Sequence, residues 1–294
     1  MKVIFFGSSK YVIPIIEVLK KNFDLALVVT TEKSAIDPVL SYCIKSKVCY
    51  YVVTDFRNKK ILKELRKTNA SLGVLASFGA ILPNEILRIF PKGIINIHPS
   101  LLPKYRGPSP VQAAILNGDK KTGVTIIKLD GEVDHGPILA QKEELIKEND
   151  TAESLYERLF KLSAGSIVQT IELYLKKKIT PQEQDNSNAT FTKRLSRQDG
   201  YIDFKKPPKP EMLHRMIHAY NPWPSAWTKW KMENVPQDGI PLRGRKWKII
   251  KFLPDKKIQV EGKKPMSYKD FLNGYPNLNP VILNLFQDLS SIRT

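Results

Sequence analysis

Short apolar runs alternate with amphipathic stretches through the first half of the chain. The runs, each of the length of a buried strand, read VIFFG, LALVVT, LGVLAS, IINIH and VTIIKL. Among the stretches between them, residues 12–21 and 60–67 have apolar side chains at helical spacing. Alternating strands and helices are typical of a parallel sheet that helices cover on both faces. The pattern therefore predicts an α/β domain.

A long amphipathic helix is predicted over residues 151–178, where apolar residues recur every three to five positions. The residues on this apolar face are Leu155, Leu159, Leu162, Ile167, Ile171 and Leu175. The sequence that follows, TPQEQDNSNAT at residues 180–190, is polar and without periodicity, which is typical of a linker. We therefore predict a first domain at 1–180, a linker at 181–190, a second domain at 191–275 and a tail at 276–294.

The second domain is predicted to be small and mainly β. It has a helical pattern at residues 210–219 and two strand-like runs on either side of a turn at residues 253–256. The length of 294 residues fits two moderate domains, and 42% hydrophobic and 26% charged residues are ordinary for a globular protein.

Most of the positive charge lies in this second region. Residues 191–270 contain 19 Lys and Arg against 8 Asp and Glu, or +11 of the formal net charge of +18. A basic surface attracts the phosphate backbone of RNA, and aromatic side chains stack on unpaired bases. RNA contact is one interpretation and a solvated basic face is the other. We expect packing inside the domain to account for at least three of the four tryptophans, Trp223, Trp227, Trp230 and Trp247.

Candidate chemistry begins at the strand-like run IINIH, which ends before Pro99. Side chains of an extended chain alternate between faces, so Asn96 and His98 point the same way at the end of a strand. Ligands of open parallel sheets bind just beyond the carboxyl ends of the strands. An amide donor and an imidazole there suit oxyanion stabilisation with proton transfer, although a capped strand end with a satisfied histidine is the simpler alternative.

A second polar cluster follows the run VTIIKL, in an acidic loop that reads DGEVDHG. It contains Asp130, Glu132, Asp134 and His135. A carboxylate beside an imidazole can select its tautomer, and the alternative is an ordinary acidic turn.

Several other functions lack support in the sequence. The first turn, GSSKYV, has no G-x-G-x-x-G pattern and the chain has no Walker sequence, so a nucleotide cofactor is not indicated. Cys43 and Cys49 suggest reduced thiols, and the N-terminal apolar run is too short for a signal sequence or a membrane span. His214 and His218 lie four positions apart on a predicted helix, but no third metal ligand stands at a recognisable spacing.

The two polar clusters form one compound pattern. N-x-H-P-S-L-L-P-x-x-R-G followed by G-V-T-I-I-K-L-D-G-E-V-D-H-G resembles the formyltransferases that use 10-formyltetrahydrofolate. Farther on, FTKRLSRQDGYIDF and MIHAYNPWPSAW are similar to the methionyl-tRNA formyltransferases. The resemblance extends from residue 1 to about residue 275. It implies a Rossmann-like catalytic domain with a parallel sheet, followed by a shortened barrel-like domain that binds tRNA.

The resemblance also implies the roles of particular residues. The family's catalytic trio maps onto Asn96, His98 and Asp134. Arg106 would contact an anionic substrate, or would form an ordinary surface ion pair. The predicted wall of the folate pocket consists of Ser77, Phe78, Gly79, Ala80, Ile81, Leu82, Pro83, Ser100, Leu101, Leu102 and Pro103.

The implied reaction is formyl transfer from 10-formyltetrahydrofolate, as co-substrate, to the α-amino group of methionyl initiator tRNA. A cytoplasmic monomer without a metal and without a membrane partner is expected. The chain departs from the family where a basic, glycine-rich loop usually follows the second strand, since it has TTEKSAIDPVLSYCIKSK there. A sugar-nucleotide formyltransferase and a non-catalytic RNA-binding relative therefore remain alternatives.

Overall fold

The structure is a computed structural model that describes residues 1–31, 37–56, 59–231 and 247–275. The chain divides into two compact units. Unit 1 comprises Met1–Val111, Lys121–Leu145 and Tyr156–Lys193, and unit 2 comprises Gln112–Lys120, Ile146–Leu155 and the described residues from Arg194 onward. The segment predicted as a linker lies in unit 1, and the predicted tail lies outside the described residues. The domain boundaries themselves stay predictions.

Unit 1 contains a seven-stranded sheet with the order β3-β2-β1-β4-β5-β6-β7. Strands β1 to β5 are parallel to one another, whereas β6 is antiparallel to β5 and β7 is antiparallel to β6. The strands are β1 Lys2–Phe6, β2 Asp24–Thr30, β3 Tyr50–Val52, β4 Leu72–Ala76, β5 Ile94–His98, β6 Lys121–Lys128 and β7 Ile138–Leu145.

Helices alternate with these strands and begin where local chemistry favours a start. Helix α2 begins after Asp37, because its carboxylate accepts hydrogen bonds from the backbone N–H groups of Val39 and Leu40 at 2.7 and 3.0 Å. No described helix combines the length and the apolar character that crossing a bilayer would need. The helices of this part of the chain are α1 Ile13–Asn22, α2 Pro38–Lys45, α3 Lys60–Lys67, α4 Asn84–Leu87, α5 Pro110–Asn117 and α6 Ala152–Leu175.

The predicted α/β architecture is confirmed, with one correction to the sheet. The predicted helix over residues 60–67 coincides with α3, and the long predicted helix is α6. The run VTIIKL is a strand as expected, but it lies antiparallel to β5 rather than parallel to it. Strand β7 was not predicted, because its sequence ILAQKEEL is largely exposed and has no apolar run. An edge strand needs fewer apolar residues than a central one.

The apolar core of unit 1 continues from the sheet into the loop after β4. Phe6 of β1 packs edge to face against Phe78 and Phe90, with ring centroids 5.7 and 6.1 Å apart. Phe78 is only 1% exposed. This packing holds the loop that follows β4 against the end of the sheet.

The two cysteines are free thiols in different surroundings. Cys43 is buried in α2, and Cys49 is exposed. Burial, together with the carboxylate of Asp37, raises the pKa of the Cys43 thiol to about 11. Cys43 therefore stays protonated in the folded chain near neutral pH.

Unit 2 contains an antiparallel sheet with the order β11-β10-β9-β8. Its strands are β8 Ala226–Lys231, β9 Trp247–Leu253, β10 Lys257–Val260 and β11 Met266–Ser267, and its helices include α7 Pro210–Ala219 and α8 Tyr268–Gly274. The helix predicted over residues 210–219 and the two strands predicted around residues 253–256 are confirmed. The core of this unit includes Leu213, Ile217 and Phe252.

The expectation that packing accounts for at least three tryptophans is wrong. Trp227 and Trp230 are 6% and 7% exposed, whereas Trp223 and Trp247 are 55% and 52% exposed. Trp230 contributes to the core with its ring edge to face against Tyr275 at 5.2 Å. Residues 232–246 of the same domain lie outside the described residues.

Candidate active site

Strand β5 presents Asn96 and His98 at its carboxyl end. All five residues of this central strand are buried, with Asn96 5% and His98 4% exposed. The strand pairs with β4 on one side and with β6 on the other, where Asn96 is opposite Ile127 and His98 opposite Thr125. Because the backbone is extended, the two side chains share a face, as predicted.

Asp134, in the loop between β6 and β7, completes a cluster with these two residues. Its Oδ1 accepts a hydrogen bond of 2.9 Å from Asn96 Nδ2, and its Oδ2 lies 3.5 Å from His98 Nδ1. The structure thus brings the three residues of the predicted trio together, although Asp134 stands 38 positions from Asn96 in the sequence.

The contacts of His98 determine its tautomer. Nε2 lies 2.9 Å from the backbone carbonyl oxygen of Tyr105, in a buried position. Since a carbonyl oxygen only accepts hydrogen bonds, Nε2 must bear the proton. In the neutral ring, Nδ1 therefore has a lone pair and faces the carboxylate of Asp134. When Nδ1 is protonated, the same geometry makes an ion pair.

The loop after β5 also holds the carboxylate of Asp134. The backbone N–H of Gly107 donates to Asp134 Oδ2 at 2.9 Å. Gly107 has a φ of +107°, and a Cβ at this position would lie 2.6 Å from the carbonyl oxygen of Thr192. Only glycine fits this backbone and this close approach, so the donor to Asp134 depends on Gly107.

The predicted folate residues after His98 are held mainly by contacts within the protein. Ser100 is fully buried and donates to the carbonyl oxygen of Lys104 at 2.7 Å. Thr125 Oγ1 donates to Ser100 O at 2.6 Å and accepts from the N–H of Leu102 at 3.0 Å. Gln141 donates to Leu102 O at 2.9 Å. Thr125 and Gln141, which sequence reasoning missed, thereby shape this loop.

The second predicted folate segment, residues 77–83, lies at the carboxyl end of β4, the neighbour of β5 in the sheet. Phe78 and Leu82 belong to the core of unit 1 rather than to an open pocket wall. Ile81, in contrast, is 80% exposed. On this segment the side chains of Ser77 and Ile81 are exposed, whereas those of Ala80 and Pro83 are half-buried and Ala80 packs against the core.

Arg106 has protein partners instead of the exposed position expected for a surface ion pair. Its side chain is 4% exposed and donates through Nε and Nη2 to Gln184 Oε1, at 3.1 and 2.8 Å. Nη2 also donates to Asn186 Oδ1 at 2.7 Å, and the ring of Phe191 lies 5.9 Å away. Sequence reasoning missed Gln184 and Asn186, because a polar stretch without periodicity gives no signal of buried contacts.

His135, beside Asp134, is part of a separate pair. Its Nδ1 lies 2.7 Å from Asp130 Oδ2, and its Nε2 lies 3.3 Å from Asn186 Nδ2. The acidic loop therefore divides its side chains between two histidines. Asp130 supports its own loop, and Asp134 faces β5.

Unit 2 contains a histidine pair of its own. His214 and His218 have ring centroids 4.2 Å apart and line a cavity of about 330 Å³. Burial, and then the charge of His218, lowers the pKa of His214. Within the described part of the chain, no group of three or more His, Cys, Asp or Glu residues is arranged to hold a metal ion.

Two known protein families match the chain, one in its first part and one in its second part. The Formyl transferase family matches residues 1–171, and the Formyl transferase C-terminal domain matches residues 194–256. A curated methionyl-tRNA formyltransferase from Roseiflexus sp. (strain RS-1) is 39% identical over 253 residues, which cover 83% of this chain and 75% of that protein.

Solved structures share the fold at lower sequence identity. A sugar N-formyltransferase from Shewanella sp. FDAARGOS_354 is 21% identical with a TM-score of 0.62, over 78% of this chain and 92% of that chain. HypX from Aquifex aeolicus, solved with tetrahydrofolic acid, is 14% identical with a TM-score of 0.62, over 94% of this chain and 48% of that chain. At these identities the likeness concerns the fold alone.

Proposed function

The chain belongs to the methionyl-tRNA formyltransferase family, and on that premise we propose that it transfers a formyl group from 10-formyltetrahydrofolate to the α-amino group of methionyl initiator tRNA. The observation that carries the proposal is the meeting of Asn96, His98 and Asp134 at the end of β5. An amide donor, an imidazole and a carboxylate at one point match the demands of acyl transfer to an amine.

The acceptor is a modest nucleophile that needs positioning more than activation. The pKa of a free α-amino group lies near ~8, so a useful fraction is neutral at physiological pH. In the reaction the amine nitrogen bonds to the formyl carbon and the bond from that carbon to the folate nitrogen breaks. The amine loses one proton, and the released folate nitrogen takes up one. Holding the two reactants in line is therefore a large part of the task.

Asn96 is the proposed donor to the formyl oxygen, on which negative charge develops. Its Nδ2 has two hydrogens, and one of them bonds to Asp134 Oδ1 at 2.9 Å. The other hydrogen is the one we assign to the oxygen. Because Asp134 holds the amide in place beforehand, the donor needs no reorganisation when the charge forms.

His98 and Asp134 are the proposed route for the amine proton. The Nε2 proton is bonded to Tyr105 O, so the Nδ1 lone pair is the basic site of the ring. A proton taken up on Nδ1, directly or through water, produces an imidazolium that faces the carboxylate of Asp134 at 3.5 Å. The carboxylate stabilises this positive charge.

The formyl donor supplies an activated formyl group, and loops at the ends of β4 and β5 are the proposed site for it. Ile81 is 80% and Val133, next to Asp134, is 51% exposed. Exposed apolar side chains beside polar catalytic groups suit a flat ring with polar edges. The tetrahydrofolic acid in the HypX structure is a ligand of a protein with the same fold, which supports a folate as the formyl donor of this chain.

The experiment that tests the function is formyl transfer by the purified full-length chain with two acceptors in one tube. Methionyl initiator tRNA and an amino-sugar nucleotide compete for the formyl group of 10-formyltetrahydrofolate, and both products are quantified. We expect formylmethionyl-tRNA as the dominant product. A dominant formylated sugar, or no product with either acceptor, would overturn the proposal. The initiator methionyl-tRNA partner and the cytoplasmic location are part of the proposal.

A further inference from the structure

The polar segment that follows α6 lies against the catalytic loops instead of crossing open solvent. Gln182 forms a β-bridge with Ile138. Farther along, the carbonyl oxygen of Thr190 accepts from Arg106 N at 2.8 Å, and Thr192 N donates to Arg106 O at 2.7 Å. The segment is thereby fixed on one side to the start of β7 and on the other to the loop after β5.

Gln184 is the buried centre of this segment, with 8% exposure. Its Nε2 donates to the carbonyl oxygens of Asp134 and Gly136, at 2.9 and 2.8 Å. Its Oε1 accepts both bonds from Arg106. Carbonyl oxygens only accept and a guanidinium only donates, so the orientation of the amide follows from its partners. One side chain therefore links the backbone on both sides of His135 to Arg106.

Arg106 extends this link to the loop after β5. Its neighbours in sequence are Tyr105, whose carbonyl binds His98, and Gly107, whose N–H binds Asp134. The bonds of its buried guanidinium are charge-assisted and therefore stronger than those between neutral groups. The pair Arg106–Gln184 thus joins the two loops that hold the imidazole and the carboxylate.

The backbone of Asp134 is in a conformation that needs such support. Its φ of +49° lies in the left-handed region, which costs free energy for residues with a Cβ, although aspartate adopts it more readily than most. The side chain of Asp134 makes two hydrogen bonds that position the carboxylate, whereas Gln184 holds the backbone. Without the Gln184 bonds, the loop can relax to an ordinary turn and move the carboxylate away from β5.

We propose that Arg106 and Gln184 are a positioning pair for the reaction, which hold Asp134 in register with Asn96 and His98. Neither side chain touches the reacting atoms in this assignment. The inference rests on the proposed function for the reaction that it serves. It assigns a catalytic purpose to a segment that looks like a linker in the sequence.

The test uses a substitution that removes the donor of Gln184 and keeps its shape. In Gln184→Glu the carboxylate still accepts from Arg106, but it has no N–H for Asp134 O and Gly136 O. Gln182→Glu is the matched control, because it makes the same chemical change two positions earlier on an exposed side chain. Thermal unfolding of both variants shows whether they fold as the parent chain does.

Two readouts are followed in the full-length variants: kcat and KM for formyl transfer, and hydrogen exchange of the Gly107 amide, which bonds to Asp134 Oδ2. For Gln184→Glu we expect kcat to fall at least tenfold with KM within about twofold, and Gly107 exchange to accelerate at least tenfold; Gln182→Glu changes neither. Arg106→Lys, which keeps the charge and loses the two-point contact, should show the same pattern more weakly.

An unchanged kcat or an unchanged Gly107 exchange in Gln184→Glu would each overturn the positioning role. If Gln184→Glu fails to fold, the same two readouts are applied to Gln184→Met, which removes the donors without placing a charge in a buried position. If the parent chain itself makes no formylmethionyl-tRNA, the proposed function fails. The exchange of Gly107 then still decides whether Gln184 holds Asp134, so the two failures are distinguishable.

Discussion

Asn96 illustrates how a single buried residue can serve two partners. One of the two hydrogens on Nδ2 is donated to Asp134, and we assign the other to the formyl oxygen. A preorganised donor of this kind typically changes turnover by a factor of ~100 to 1000, since it acts where charge develops. Its effect on catalysis should therefore exceed its effect on folding.

We predict that Asn96→Ala lowers kcat for formyl transfer about 100- to 1000-fold, because the transition-state oxygen loses its donor. The measurement is steady-state formylation of methionyl initiator tRNA, with thermal unfolding recorded in parallel. Asn22→Ala, at the exposed end of α1, is the control and should leave kcat unchanged. Turnover of Asn96→Ala near that of the parent chain would remove Asn96 from the site.

At the scale of elements, a glycine has opposite effects on stability in helix α6 and in the loop after β5. Gly165 lies inside α6 with nothing within 4 Å of the place where a Cβ would stand. Gly107 has a left-handed φ of +107°, and Thr192 O occupies the space beside it. A side chain at Gly165 would stabilise the folded state, because it reduces the conformational freedom of the unfolded chain. The loop has no room for a side chain at Gly107.

Gly165→Ala should raise the free energy of unfolding by about 0.5–1 kcal/mol, because alanine is the better helix former. Gly107→Ala should lower it by about 1–3 kcal/mol, and should also reduce kcat, since the N–H that binds Asp134 must shift. Urea unfolding of both variants measures the two effects. The same sign of change in both would contradict the conformational explanation.

At the scale of the whole molecule, charge is distributed unevenly. Residues 191–270 hold +11 of the net +18, in a region where Trp223 and Trp247 are exposed. A concentration of positive charge favours the binding of polyanions, because the phosphates release their counterions when they bind. A small acceptor such as a sugar nucleotide has few phosphates, so this positive charge would raise its affinity far less.

We predict that binding of initiator tRNA to the full-length chain weakens more than tenfold between about 50 and 200 mM salt, through the loss of counterion release. Fluorescence anisotropy of labelled tRNA over a salt series measures the slope. Affinity that is independent of salt would refute an RNA-binding role for the basic region. Binding of the folate donor, measured in the same series, is the control and should change little.

Much of the fold could be predicted because its signals are local. Strand alternation placed Asn96 and His98 on one face, and apolar spacing predicted α3 and α7 at their observed bounds. The antiparallel direction of β6 could not be predicted, since a strand's own residues do not state which way its neighbour runs. The expected number of buried tryptophans was wrong for a similar reason, because the burial of a side chain depends on which residues of other elements pack against it.

The sequence by itself determined the strand-and-helix alternation, the composition of the two polar clusters and the resemblance to the family, because each depends on neighbours in the chain. Only the tertiary structure decided that Asp134 meets Asn96 across 38 positions and that Gln184 meets Arg106 across 78. These contacts depend on how loops from separate elements close on one another. Periodicity does not extend through such loops, so a polar segment that looked like a linker proved to be packed against the site.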